Sequence, residues 1–281
     1  MLIYETTERN DKNNWVKNRL IQDGVKIIEF EGYTIKNNVC TGLFDRRLFL
    51  NSDFLNYTDE EIHNILVNEE PNLSAKIDFA NKLNTYYRYV FYSYELEKVL
   101  VYRFENNKLK FKACYDNFCS FINETQKLRD LKMTSSYQED NLPRIDKIFR
   151  DTCGLPWMGN LDAAFLSNDG QSVALLVEFQ TTIKKPVALH CNNDFFAPTR
   201  YRKGDELRWK VFDTLSIQSG LDLVIIVWSP NEVNGDIKYK VVDHIVYSES
   251  LSGERPGLRY KRKDIINYEQ LLNQFYSEGL I

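Results

Sequence analysis

The stretch Leu221-Asp-Leu-Val-Ile-Ile-Val-Trp228 is almost unbroken apolar sequence. A strand with one wet face alternates polar and apolar residues. A strand without that alternation is covered on both faces, as in sheets built from strand–helix–strand crossovers. The run therefore demands helices on both sides of a sheet, and the preceding sequence supplies one. Gly204-Asp-Glu206 opens a helix with Asp205 as cap, Leu207, Val211 and Leu215 recur on one face, and Gly220 stops it. Before it, Asn160–Ser167 and Ser172–Thr182 read as strands joined by the turn Asn168-Asp-Gly-Gln171. Upstream again, residues 142–153 form a helix, with Asn141 as cap, Pro143 in its first turn, and Gly154 then Pro156 after its end. Lys238–Tyr247 reads as a further strand and Asp264–Ser277 as a terminal helix. Helix, strand, strand, helix, buried strand is mixed α/β.

The chemistry concentrates in the hairpin. Glu178 and Gln180 lie two apart on the second strand and share a face, while Phe179 points to the other. Asp162 on the first strand falls within cross-strand reach of Glu178. Glu178 follows Val173-Ala-Leu-Leu-Val177, so its carboxylate sits in a sheet interior, where charge is costly unless paired with a cation or a metal. Two facing carboxylates repel unless a cation lies between them. A hard divalent cation resolves this, and Mg²⁺ uses one or two carboxylates with waters and a phosphate oxygen.

Asp162, fifteen intervening residues, then Glu178-Phe179-Gln180, set in this helix–strand order, resembles the PD-(D/E)XK nuclease superfamily. The likeness spans about residues 141–230 and implies a restriction-endonuclease-like αβββαβ core in the C-terminal half. It implies that Asp162, Glu178 and the main-chain carbonyl of Phe179 bind Mg²⁺, with Mn²⁺ as a substitute. The family's lysine is replaced by Gln180, which positions water but supplies no charge. The proline that often precedes the aspartate is absent, since Asn160 and Leu161 stand there. The activity implied is a Mg²⁺-dependent endonuclease hydrolysing DNA, of the type II restriction or related defence kind, which often works as a homodimer. The alternative is a catalytically degenerate nuclease-fold module that binds nucleic acid or a protein. Asp146 and Asp151 on the first helix either complete the metal site, as a first-helix acid does in the family, or form a solvated face with Asp146 paired to Arg150. Arg208 and Lys210 either contact phosphate in place of the lysine or face solvent.

A polar stretch at Lys127–Leu142 marks a linker, so the chain divides into 1–138, an α+β region, and 139–281, the catalytic domain. In the first part, Trp15–Leu20 reads as a helix, Val25–Phe30 as a strand, and Thr58-Asp-Glu-Glu61 as a capping box. A helix from Asn72 to Leu83 and a meander of Tyr86–Tyr94, Lys98–Phe104 and Lys108–Cys114 follow. Tyr86–Phe104 is dense in aromatics. The plainer reading is a sheet face packed on helices; the other is base stacking in a substrate-binding region.

The net charge is −4, which by itself speaks against nucleic acid, but the charge is uneven. Residues 183–210 hold Lys184, Lys185, Arg200, Arg202, Lys203, Arg208 and Lys210 against three carboxylates. Residues 250–263 hold five cations against one carboxylate. Lys184, Lys185, Arg200, Arg202 and Lys203 are the candidate phosphate contacts, and DNA the expected partner. The five cysteines are scattered and read as buried free thiols rather than a zinc site. No apolar run reaches the ~18 residues of a membrane span, and no secretory signal opens the chain, so a cytoplasmic setting without membrane attachment is expected.

Overall fold

The computed structural model describes residues 4–5, 14–51, 53–95, 98–128, 144–154, 157–158, 161–183, 185–190, 204–231, 236–248, 250 and 253–281. In chain order these form β1 (Tyr4–Glu5), α1 (Asn14–Gln22), β2 (Ile27–Phe30), β3 (Gly32–Lys36) and β4 (Val39–Phe49). Next come α2 (Asp59–Glu69), α3 (Leu73–Lys82), β5 (Tyr87–Ser93), β6 (Val99–Glu105), β7 (Lys108–Tyr115) and α4 (Phe118–Gln126). After them follow α5 (Arg144–Cys153), β8 (Leu161–Leu166), β9 (Val173–Thr181), α6 (Gly204–Ser219), β10 (Leu223–Trp228), β11 (Ile237–Val246), β12 (Gly257–Ile266) and α7 (Tyr268–Ser277). The chain is mixed α/β, with two mixed sheets.

Two compact units divide it, one of residues 1–11 and 30–161, the other of 12–29 and 162–281. The sequence reading set a single cut after 138. Here the chain passes between units more than once, because α1 and β2 join the later half while α5 packs with the earlier one.

In the first unit, β5, β6 and β7 form the expected antiparallel meander, and β4 pairs parallel to β5 through the α2–α3 crossover. Thr58 caps α2 as its spacing requires: Glu61 N–H donates to Thr58 Oγ1, and Thr58 N–H donates to Glu61 Oε2. Two of the unit's hairpin turns use paired asparagines. Asn37 and Asn38 between β3 and β4, and Asn106 and Asn107 between β6 and β7, all take positive φ near 50–61°. Asparagine tolerates that left-handed region, whose twist suits two-residue turns.

In the second unit the strand order is β12-β11-β10-β9-β8-β2. β9 and β10 run parallel across the α6 crossover, as the apolar run requires, with every residue of β10 buried. One face of the sheet buries Val177, Phe179, Val224, Ile226 and Tyr239 with Val16 and Leu20 of α1 and Leu271 and Phe275 of α7. On α6, Trp209, Val211, Phe212 and Leu215 are buried.

Two expectations are corrected. Residues 264–266, expected to open the terminal helix, instead end the strand β12; α7 begins only at Tyr268, capped by Asn267 with Gln270. Nine of the ten residues of β12 pair with β11, which outweighs the helical spacing. The cysteines are not all buried free thiols. Cys119 of α4 and Cys153 of α5 form a disulfide across 34 residues, and Cys114 is exposed. Cys40 alone among the described cysteines is a buried free thiol, and burial pushes it up to about 12. Cys191 lies outside the described residues. Among the described residues, no helix is long and apolar enough to cross a membrane.

Candidate functional site

The hairpin β8–β9 sets the site. Ala163 stands opposite Val177 in antiparallel register, and one further step places position 162 across from position 178. The side chain of Asp162 lies outside what is described. Glu178 is 2% exposed and Gln180 6%. Between them Phe179 turns to the opposite face, its ring 6.2 Å from that of Phe165 in the core.

The Glu178 carboxylate is stabilised by α6. Arg208 Nη2 lies 2.7 Å from Oε1 and 2.8 Å from Oε2. The helix faces the sheet through its apolar residues, which aims Arg208, one residue before buried Trp209, at the strand. Gln180 is different. Its Nε2 and Oε1 are both buried, and among the described residues neither has a hydrogen-bond partner. Such a buried polar group costs about 1–3 kcal/mol if left unmade. Native proteins hold such groups where water, an ion or a ligand satisfies them. The donor types suit a hard cation: a carboxylate and a partnerless amide oxygen on one face of a strand. Among the described residues, no three His, Cys, Asp or Glu side chains gather as a metal cluster.

The other described candidates have surroundings of their own. Asp146 is buried against Arg46, Nη1 to Oδ1 2.6 Å, and so belongs to an ion pair inside the first unit rather than to a solvated helix face. Arg46 also bonds Glu31 and lies 4.4 Å from the Trp157 ring centre. Asp151 is exposed. Lys210 stands 5.2 Å from the Tyr247 ring, whose hydroxyl donates to Asp213 at 2.6 Å. Burial and that carboxylate push the Tyr247 phenol well above its ordinary value. Lys185 is exposed, and its carbonyl accepts from Thr182 Oγ1. Lys184, Arg200, Arg202 and Lys203 lie outside the described residues. The second basic segment is the edge strand β12 and its approach, and much of its charge is paired locally: Arg259 with Glu254, Lys261 with Asp222, Arg262 with Asp264. Charged edge strands resist sheet-to-sheet pairing, which accounts for these residues without a ligand.

The sequence reading missed two lysines. Register runs from Glu178 to Ile225 to Lys240, and from Gln180 to Val227 to Lys238. Directly paired residues share a face, so both lysines stand on the face of Glu178 and Gln180, and both are buried. Lys238 Nζ donates to the carbonyls of Ala188 and His190, at 2.8 and 2.9 Å, tying the segment after β9 to the sheet. The signal was present in Ile237-Lys-Tyr-Lys-Val241, where period-two alternation puts both lysines on one face of a strand.

No protein-family profile matches the chain, and neither a curated protein nor a solved structure matches it.

Proposed function

We propose that the chain is a Mg²⁺-dependent endonuclease that hydrolyses DNA, of the type II restriction or related defence kind, with a restriction-endonuclease-like core in its C-terminal half. The observation that carries the reading is Glu178, a carboxylate in a strand interior, beside the buried amide of Gln180, which has no hydrogen-bond partner among the described residues. The parallel β9–α6–β10 crossover is the arrangement that the resemblance implies. Asp162, Glu178 and the Phe179 carbonyl would hold the metal. A bound Mg²⁺ polarises the phosphate and makes its water a stronger nucleophile. Gln180 orients that water by hydrogen bonding. Arg208 is a cation already at Glu178, and its side chain is 39% exposed, so it can leave Glu178 for a phosphate oxygen. Lys184, Lys185, Arg200, Arg202 and Lys203 would contact the DNA backbone. Cutting both strands takes two such sites, which a homodimer supplies.

Supercoiled plasmid incubated with Mg²⁺ or Mn²⁺ tests the reading. Cleavage is expected from the native chain and from neither Asp162→Ala nor Glu178→Ala, with DNA binding retained in both. Full activity in either variant rejects the assignment. A second reading, a degenerate module that binds without cutting, is favoured by the contact of Arg208 with both Glu178 oxygens and by glutamine at position 180. Absence of cleavage with every metal selects it.

A further inference from the structure

A row of cations crosses the sheet of the first unit. Phe44 of β4 pairs with Arg88 of β5, Arg88 with Arg103 of β6, and Arg103 with Lys110 of β7. All four therefore share one face. Further along the strands that face is covered: Val90, Tyr92, Val99 and Val101 pack against Phe118, Phe121 and Ile122 of α4. At the stretch with the cations the Lys110 side chain is 52% exposed and that of Lys112 33%. Lys108 pairs with Glu105 on the same face, and Lys112 reaches Glu105 as well, at 2.7 Å.

Like charges placed directly opposite one another destabilise a sheet, yet Arg88 and Arg103 stand so. Glu105 is the carboxylate of this patch. It bonds Arg103, Lys110 and Lys112, which hold its carboxyl down to about 2 and so keep it ionised. Among the described residues this face thus carries Arg88, Arg103, Lys108, Lys110 and Lys112 against Glu105. Arg88 has no carboxylate partner among the described residues. Its Nη1 donates to the Thr41 carbonyl at 3.0 Å, and its guanidinium lies 5.2 Å from the Phe44 ring centre. Burial and Arg103 pull its pKa down to about 10. The fold makes room for this strained group. A Cβ on Gly42 would come within 2.0 Å of Arg88 Nη1, so glycine there lets the guanidinium lie across β4. Beside it Tyr86 is 44% exposed, with Arg103 stacked 3.8 Å from its ring centre.

We propose that this half-face, built of Arg88, Arg103, Lys110 and Lys112 around Tyr86, binds the phosphodiester backbone of nucleic acid. Cations in excess of the one carboxylate they share are stabilised by an anion, and Arg88, Arg103 and Lys110 stand on neighbouring strands about 4.8 Å apart. A linear array suits a polymer of regularly repeated charge. The planar guanidiniums suit the paired oxygens of phosphate, and the tyrosine ring offers a base a stacking partner. The site does not depend on the nuclease reading, because binding here involves neither metal nor Glu178.

The test is fluorescence anisotropy with labelled duplex and single-stranded DNA of mixed sequence, in EDTA, over a salt series. The triple variant Arg103→Gln/Lys110→Gln/Lys112→Gln should bind about tenfold or more weakly at low salt. Its plot of log affinity against log salt on duplex should be shallower by about 2.7, three lost contacts at 0.9 each. Should that variant melt early, Lys110→Glu alone, on an exposed side chain, should still weaken binding and flatten the slope. Unchanged affinity and slope in the variants overturn the proposal, as does failure of the native chain to bind either DNA. Displacement by polyglutamate as readily as by unlabelled DNA of equal charge also overturns it. Binding is read in EDTA, where metal-dependent cleavage does not occur, so a failed plasmid-cleavage assay and a failed binding assay are told apart.

Discussion

Replacing Arg208 by glutamine leaves the Glu178 carboxylate in the sheet without its cation. Glu178 is 2% exposed, and breaking a fully buried ion pair costs about 3–5 kcal/mol. The Arg208 side chain is 39% exposed, so solvent screens its end of the pair and about 2 kcal/mol is the better figure. For a unit of this size that lowers the melting midpoint by about 4–8 °C. The metal changes the comparison. If Glu178 is a ligand, Mg²⁺ and Arg208 compete for the same two oxygens, and entry of the metal into the native site works against the same 2 kcal/mol. Removing the arginine should then tighten Mg²⁺ binding about 30-fold, at 1.4 kcal/mol per factor of ten. Thermal unfolding across a Mg²⁺ series reads this directly. The midpoint of Arg208→Gln should begin to rise at about 30-fold less Mg²⁺ than the native protein needs, while Glu178→Gln should not respond. Superimposable curves for all three proteins would refute the reasoning, because Glu178 would then hold no metal.

The disulfide closes a loop of 34 residues, worth about 4 kcal/mol on the chain-entropy account. Cys119→Ser should therefore lower the urea midpoint markedly, and an unmoved midpoint would argue against the bond's contribution. Asp45 gives a pH signature. Burial pushes its carboxyl up to about 6, outweighing the pull of Lys76, while Glu70 and Glu31 add to the push. A carboxyl whose value is higher folded than unfolded contributes fully below pH of about 4, and that contribution is lost as pH rises through about 6. Between pH 4 and 7 the native protein should thus lose stability relative to Asp45→Asn, and parallel pH profiles would contradict this.

How much of this was legible in the sequence follows from the range of each interaction. The caps and turns are local: Thr58 and Glu61 are three residues apart, and the asparagine pair 106–107 bends the chain where it stands. The β3–β4 hairpin is equally local, since Asn37-Asn38 turns the chain in the same way. The alternation of Glu178, Phe179 and Gln180 also needs only the period of a strand. The destination of α5 was not legible. Its apolar stripe is the same whichever unit it packs on, and the choice shows only in Arg46, a hundred residues earlier, receiving Asp146.

The sequence by itself determined many of the strands and helices, that β10 is covered on both faces, and which side of β9 carries polar groups, because these depend on periods of two and 3.6 residues. Only the tertiary structure decided that Arg208 meets Glu178, that Cys119 meets Cys153, that Lys238 and Lys240 share the face of Gln180, and that Arg88 stands opposite Arg103. Each of these joins separate elements through strand register or helix packing. The free energy that sets such packing is summed over the whole core, so no short stretch of sequence specifies the pairing.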